Sequence, residues 1–149
     1  MIEKPKGINI LDNINDLLNV SDVKLTATGT SMWPFFKGGK TKIKLSKIKN
    51  IKKGNIYLFK NNETFVVHRL IKIKNNSLIF KGDGNIKKEI VSKDSLLAEL
   101  VSYVNKAGKE IKQTNKFYKL KVFIYRLLPR RVMLKLFKKN DKQAITRNN

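Results

Sequence analysis

Thr64-Phe65-Val66-Val67-His68-Arg69-Leu70-Ile71-Lys72-Ile73, followed by Asn75-Asn76 and Ser77-Leu78-Ile79-Phe80, is the stretch that decides the fold. A long run rich in β-branched and aromatic residues, a tight-turn dipeptide and a second such run read as a β-hairpin. Working towards the N-terminus, Asn55-Ile56-Tyr57-Leu58-Phe59 follows a turn at Lys53-Gly54, and Lys42-Ile43-Lys44-Leu45 and Val23–Thr28 alternate as strands do. Working towards the C-terminus, Lys81-Gly82-Asp83-Gly84-Asn85 is a loop by composition. Leu96–Val104 is a further strand, and Ala107-Gly108 turns the chain into Lys109-Glu110-Ile111. Short strands with turn signals at this spacing predict a compact, mostly β domain. Ile8, Leu11, Ile14, Leu17 and Leu18 recur at helical spacing, so residues 8–18 are expected to form a short amphipathic helix closed by Val20-Ser21-Asp22.

The texture changes near Gln113, which divides the chain into an expected globular domain, residues 1–112, and a tail, residues 113–149. Phe117–Leu128 reads as a helix ended by Pro129, and Arg130–Lys139 as a further turn or two. Asn140–Asn149 is expected to be disordered. The tail holds eleven basic residues against one acid, Asp141. Phe117, Leu120, Ile124, Leu127 and Leu128 are placed to share one face of the helix. Apolar residues interleaved with Lys and Arg suit a helix lying on an anionic membrane surface. A helix packed on its domain with a solvated cationic face is an equal alternative. Nucleic acid is the least favoured partner, because no binding motif accompanies the charge.

The 149-residue chain carries 33 Lys+Arg against 11 Asp+Glu, a formal +22, so anionic partners are favoured. Lys, Asn and Ile crowd the sequence, and much of the excess within residues 1–112 also reads as ordinary solvated surface. A hydrophobic content of 41% is that of a globular protein. The absence of cysteine excludes disulfides, thiolate metal sites and a thiol nucleophile, and one histidine argues against a zinc or haem site, so no metal or cofactor is expected. Ile8–Asn19 is interrupted by Asp12, Asn13, Asn15 and Asp16, and no run of about 18 apolar residues occurs. The expected location is therefore the cytoplasm, with the tail able to lie peripherally on the inner membrane face.

Two residues carry candidate chemistry. A serine hydroxyl needs a neighbouring base to become a nucleophile, and His68 is the only side chain here that titrates near neutrality unperturbed. Taken singly, each has a plainer reading. A serine beside Met and Pro is ordinarily structural, and a histidine flanked by Phe65, Val66, Val67 and Leu70 is ordinarily a partly buried strand residue.

Their neighbours weigh against coincidence. Gly29-x-Ser31-Met32-x-Pro34 resembles the nucleophile box of the type I signal peptidases and of LexA-type self-cleaving repressors. Val66-Val67-His68-Arg69-Leu70 resembles the general-base box of that superfamily, with a histidine, as in its endoplasmic-reticulum, archaeal and spore-former branch, where bacterial leader peptidases have lysine. Lys81-Gly82-Asp83-Gly84-Asn85 is similar to the Lys-Gly-Asp-Asn-Asn box that follows the base. Three boxes in order and spacing cover about residues 20–105.

The resemblance implies a signal-peptidase/LexA-like catalytic β-fold and a serine endopeptidase acting on a signal or leader peptide, bound as an extended strand. Ser31 would attack the scissile carbonyl and His68 would carry its proton to the leaving amine. The Ser31 N–H would serve the oxyanion hole, and Gly29, Met32 and Pro34 would shape the substrate cleft. The histidine's partner acid in the Ser-His branch lies six positions past the Gly-Asp aspartate, a register that falls on Glu89. Asp83, the alternative orienter, is favoured as present in the site, with Glu89 as the triad acid, and Asp94 is a weaker candidate. Compact relatives are associated with leader peptides of small secreted or modified peptides.

Two positions depart from the pattern: Gly29 stands where leader peptidases often place a serine, and Gly39-Lys40 where Gly-Asp is usual. A catalytically weak or silent basic module on membrane or nucleic acid is thus one alternative. A LexA-like self-cleaving regulator is another, disfavoured because Ala107-Gly108, the single Ala-Gly, lies after Ser31 and only thirty residues precede it.

Overall fold

The computed structural model describes residues 11, 13–129 and 132. It is mostly β, as expected: one curled antiparallel sheet with a helix before it and another after it. The order along the chain is α1 (Ile14–Val20), β1 (Val23–Thr26), β2 (Lys42–Ser46), β3 (Ile56–Asn61), β4 (Thr64–Lys74), β5 (Ser77–Lys81), β6 (Lys88–Ser92), a 3-10 turn (Lys93–Ser95), β7 (Leu96–Val104), β8 (Glu110–Lys112) and α2 (Lys116–Leu127). Across the sheet the strands run β1-β2-β7-β3-β4-β5-β6, with β8 paired to β7.

The decisive stretch forms the predicted hairpin. Ile73 pairs with Leu78 and Lys74 with Ser77 around Asn75, whose φ of 44° is the left-handed conformation that asparagine tolerates in tight turns. Burial along β4 does not simply alternate, however. His68, Arg69 and Leu70 are buried in succession, and Ile56–Phe59 of the neighbouring β3 are buried throughout. Both faces of the sheet are therefore covered at this point. Tyr57, Phe59, Leu70, Leu78, Phe80 and Val91 form one apolar cluster, in which the Phe59 and Phe80 rings lie 4.5 Å apart. A register shift between Leu70 and Lys72 bends β4 where it leaves this core.

Three differences from the sequence reading have physical causes. The described helix α1 runs over Ile14–Val20, later than the expected 8–18, and burial of Ile14 and Leu18 holds it; Ile8 lies outside the described residues. Lys88–Ser92 forms an edge strand the sequence did not announce, because only Val91 of its five residues is buried and Ile90 is 73% exposed. The chain divides between Gln113 and Thr114, one residue later than expected. Gln113 belongs to the sheet: its backbone N–H donates to Val101, its Nε2 donates to the Leu100 carbonyl at 2.8 Å, and its Oε1 accepts the Ile56 N–H. The buried amide thereby ties the end of β8 to β7 and to β3, β8 and β3 both being partners of β7.

In the second unit α2 starts where the Asn115 side chain accepts the Tyr118 N–H at 3.1 Å and ends before Pro129, as the sequence predicts. The expected turns over Arg130–Lys139 and the expected disorder from Asn140 lie outside the described residues, Val132 excepted. Among the described residues no helix is long and apolar enough to cross a membrane.

Candidate active site

Beyond β1 the chain crosses from Ala27 to Thr41 in a knot of turns that carries Ser31. The Ala27 N–H donates to the Thr41 carbonyl and the Gly39 N–H to the Ala27 carbonyl, which closes the base of the loop. Gly29 turns with φ +72°, a conformation that favours glycine, and a Cβ on Gly38 would collide with the Gly29 backbone. Met32 and Phe36 are buried and staple the loop to the domain, while the N–H groups of Phe35 and Phe36 both donate to the Met32 carbonyl. Pro34 follows a cis peptide bond. Ser31 itself is half-buried at the head of this loop.

The Gly82-Asp83-Gly84 loop lies directly on it. The Gly84 N–H donates to the Ser31 carbonyl at 2.8 Å. A Cβ added to Gly82 would stand 2.5 Å from the Ser31 carbonyl oxygen and 3.0 Å from His68 Nε2. One added to Gly84 would meet the carbonyls of Trp33 and Thr30 at 3.0 and 3.1 Å. Gly82 is thus the point where Ser31 and His68 meet, and Gly84 lies against the serine loop alone.

His68 is buried on β4, with its ring edge-on to Phe59 at a centroid distance of 6.2 Å. Its Nδ1 lies 2.7 Å from Glu89 Oε2 on β6. Two strand spacings separate β4 from β6, on the order of 9–10 Å of backbone. The register explains how the pair meets. Arg69 faces Lys81, while Glu89 faces Phe80, which in turn faces Leu70, so the carboxylate reaches His68 on the diagonal, two residues along β4 from its own row. The extra methylene of glutamate, which makes its reach uncertain on sequence alone, fits this span. In a neutral imidazole whose Nδ1–H donates to this carboxylate, Nε2, on the side of Gly82 and Ser31, is the acceptor.

Asp83 has a different partner. Its two oxygens take a two-pronged bond from Arg69, Nε to Oδ1 at 2.8 Å and Nη2 to Oδ2 at 2.7 Å, and both side chains are buried. Arg69 Nη1 donates to the Gly54 carbonyl at 2.7 Å, and its guanidinium stands 5.9 Å from the centre of the Phe35 ring. Asp83 is therefore a fixed point of the loop on which Ser31 rests, and the carboxylate on the histidine is Glu89. Asp94 sits in the 3-10 turn and bonds Ser92. Gly29 and Pro34 lie in the serine loop with Met32, whose side chain is buried in the domain.

The sequence reading missed two things: Arg69, which holds Asp83, and the reason for the two glycines. The available signal was an arginine directly after His68 in a strand otherwise apolar at that point. Among the described residues no group of three His, Asp or Glu side chains is arranged to hold a metal ion.

No protein-family model matches the chain, and no curated protein matches it. The three boxes and the contacts among them thus stand on their own.

Proposed function

We propose that the protein is a serine endopeptidase of signal-peptidase-like mechanism, acting on a signal or leader peptide held in extended form. The observation that carries this reading is the meeting of the three boxes at one place: the Ser31 backbone and His68 Nε2 both bracket Gly82, and His68 Nδ1 is bonded to Glu89.

In the proposed reaction the Ser31 hydroxyl oxygen attacks the scissile carbonyl as His68 Nε2 takes its proton. The new imidazolium keeps its Nδ1–H bond to Glu89, which stabilises the charge and holds the ring in place. The Ser31 N–H is the proposed oxyanion donor. His68 then gives its proton to the departing amine, breaking the peptide bond and leaving an acyl ester on Ser31. Water, deprotonated by the same nitrogen, hydrolyses the ester and frees the serine.

The test is cleavage of a pool of extended peptides with small residues before candidate bonds, read by mass spectrometry. Cuts made by the parent and absent with Ser31→Ala support the reading. A folded parent that cleaves nothing, yet binds anionic surfaces in low salt, favours a silent basic module instead.

A further inference from the structure

Helix α2 presents two apolar faces. Tyr118, Val122 and Tyr125 are buried, whereas Phe117, Leu120, Phe123, Ile124 and Leu127 are exposed, Phe117 to 83% and Leu127 to 68%. At about 100° per residue the five exposed side chains fill one sector of roughly 120°, opposite the buried three. Lys119 and Arg126 border the sector on one side and Lys121 on the other, and Lys116 falls within it at the helix's first turn. No acid occurs in the helix. Five large apolar side chains on one sector are more than the scattered exposure of an ordinary surface.

We infer that this second face of α2 docks on an anionic lipid surface, with its apolar side chains entering the headgroup boundary and its flanking cations meeting lipid phosphates. The charge pattern selects this occupant. Bordering lysines and arginines extend their heads to phosphate while their stems lie along apolar surface. A second copy of the helix would instead bring four more cations and no acid into contact with the first four. A nucleic-acid backbone would use the cations but leave the apolar sector exposed. The inference is independent of the peptidase reading, since it uses no residue of the Ser31 site.

Co-sedimentation of the full chain with vesicles tests it. The vesicles are phosphatidylcholine with or without phosphatidylglycerol, each at low and high salt. A chain with a formal charge of +22 will show some attraction to any anionic surface, so the decisive variant keeps every charge: Leu120→Ser with Phe123→Ser and Leu127→Ser. It should bind the anionic vesicles at least roughly tenfold more weakly than the parent. Lys72→Gln with Lys74→Gln, which removes two exposed cations from the C-terminal end of β4 and none from α2, should bind nearly as the parent does. Circular dichroism checks that the triple variant is folded, and Phe123→Ser alone repeats the measurement with a smaller loss. Equal binding by parent and triple variant would overturn the inference. So would equal binding to vesicles without phosphatidylglycerol, or a parent that ignores vesicles while self-associating or binding duplex DNA through the same three residues.

Discussion

Glu89 Oε2 sits 2.7 Å from Nδ1 of His68, although β5 runs between their strands. Glu89 faces Phe80 and crosses to His68 on the diagonal; in the proposed reaction this makes it a positioning residue for His68. Glu89→Gln should keep the fold and lower kcat by on the order of 10²- to 10⁴-fold with little change in KM, because the amide no longer enforces the tautomer. Glu89→Asp should recover only a small part, since the shorter side chain falls short across the strand. Steady-state kinetics on a peptide substrate reads both.

Gly82 and Gly84 separate by distance. Gly82→Ala places a Cβ 2.5 Å from a backbone oxygen of Ser31, which cannot swing aside. It should destabilise the protein by about 1–3 kcal/mol and cost roughly 10²-fold in rate by displacing Ser31 from His68. Gly84→Ala meets its nearest neighbour at 3.0 Å and should lose less of both. Urea unfolding alongside cleavage rates checks the order.

Arg69 and Asp83 form a buried ion pair, so breaking one side strands the other. Arg69→Met should cost about 3–5 kcal/mol by leaving a buried carboxylate without its partner. Adding Asp83→Asn should return much of that loss, and chemical denaturation of both variants measures it. If the double variant is no more stable than Arg69→Met, an unpaired charge is not the cause.

Burial raises the pKa of Tyr57 above the ordinary tyrosine value of 10.0. The unfolded chain then ionises this phenol first. Its contribution is fully present below pH 10 and is lost as pH rises from there through the folded value. Tyr57→Phe should therefore flatten part of the alkaline decline in stability. At neutral pH it should cost about 1 kcal/mol, because the hydroxyl accepts the Lys52 N–H at 2.8 Å and donates to the Asn50 carbonyl at 3.1 Å. Thermal melts from pH 7 to 11 compare the two proteins.

Much of the sheet was legible because its strands carry their own signals: the Asn75-Asn76 turn, the alternation over Lys42–Leu45, the apolar run at Ile56–Phe59. The edge strand Lys88–Ser92 was not, since an edge needs only one buried residue and its exposed isoleucine breaks the expected pattern. Ser31, His68 and Glu89 could be picked out by motif and register. Which carboxylate meets the imidazole could not, because that depends on the diagonal reach from β6 to β4 and on the arginine that occupies Asp83. Both are properties of packing between segments distant in sequence. The two-faced character of α2 is likewise a matter of burial, which periodicity alone leaves undivided between core and surface.

The most direct test of the Ser31-His68 assignment is the rate of peptide cleavage by Ser31→Ala, His68→Ala and the double variant, measured beside the parent with matched circular dichroism and melting. Groups that act as one unit lose their effect together, so all three should fall by a similar factor of roughly 10³ or more. A Ser31→Ala variant that cleaves at the parental rate, or single losses that multiply in the double variant, would contradict it.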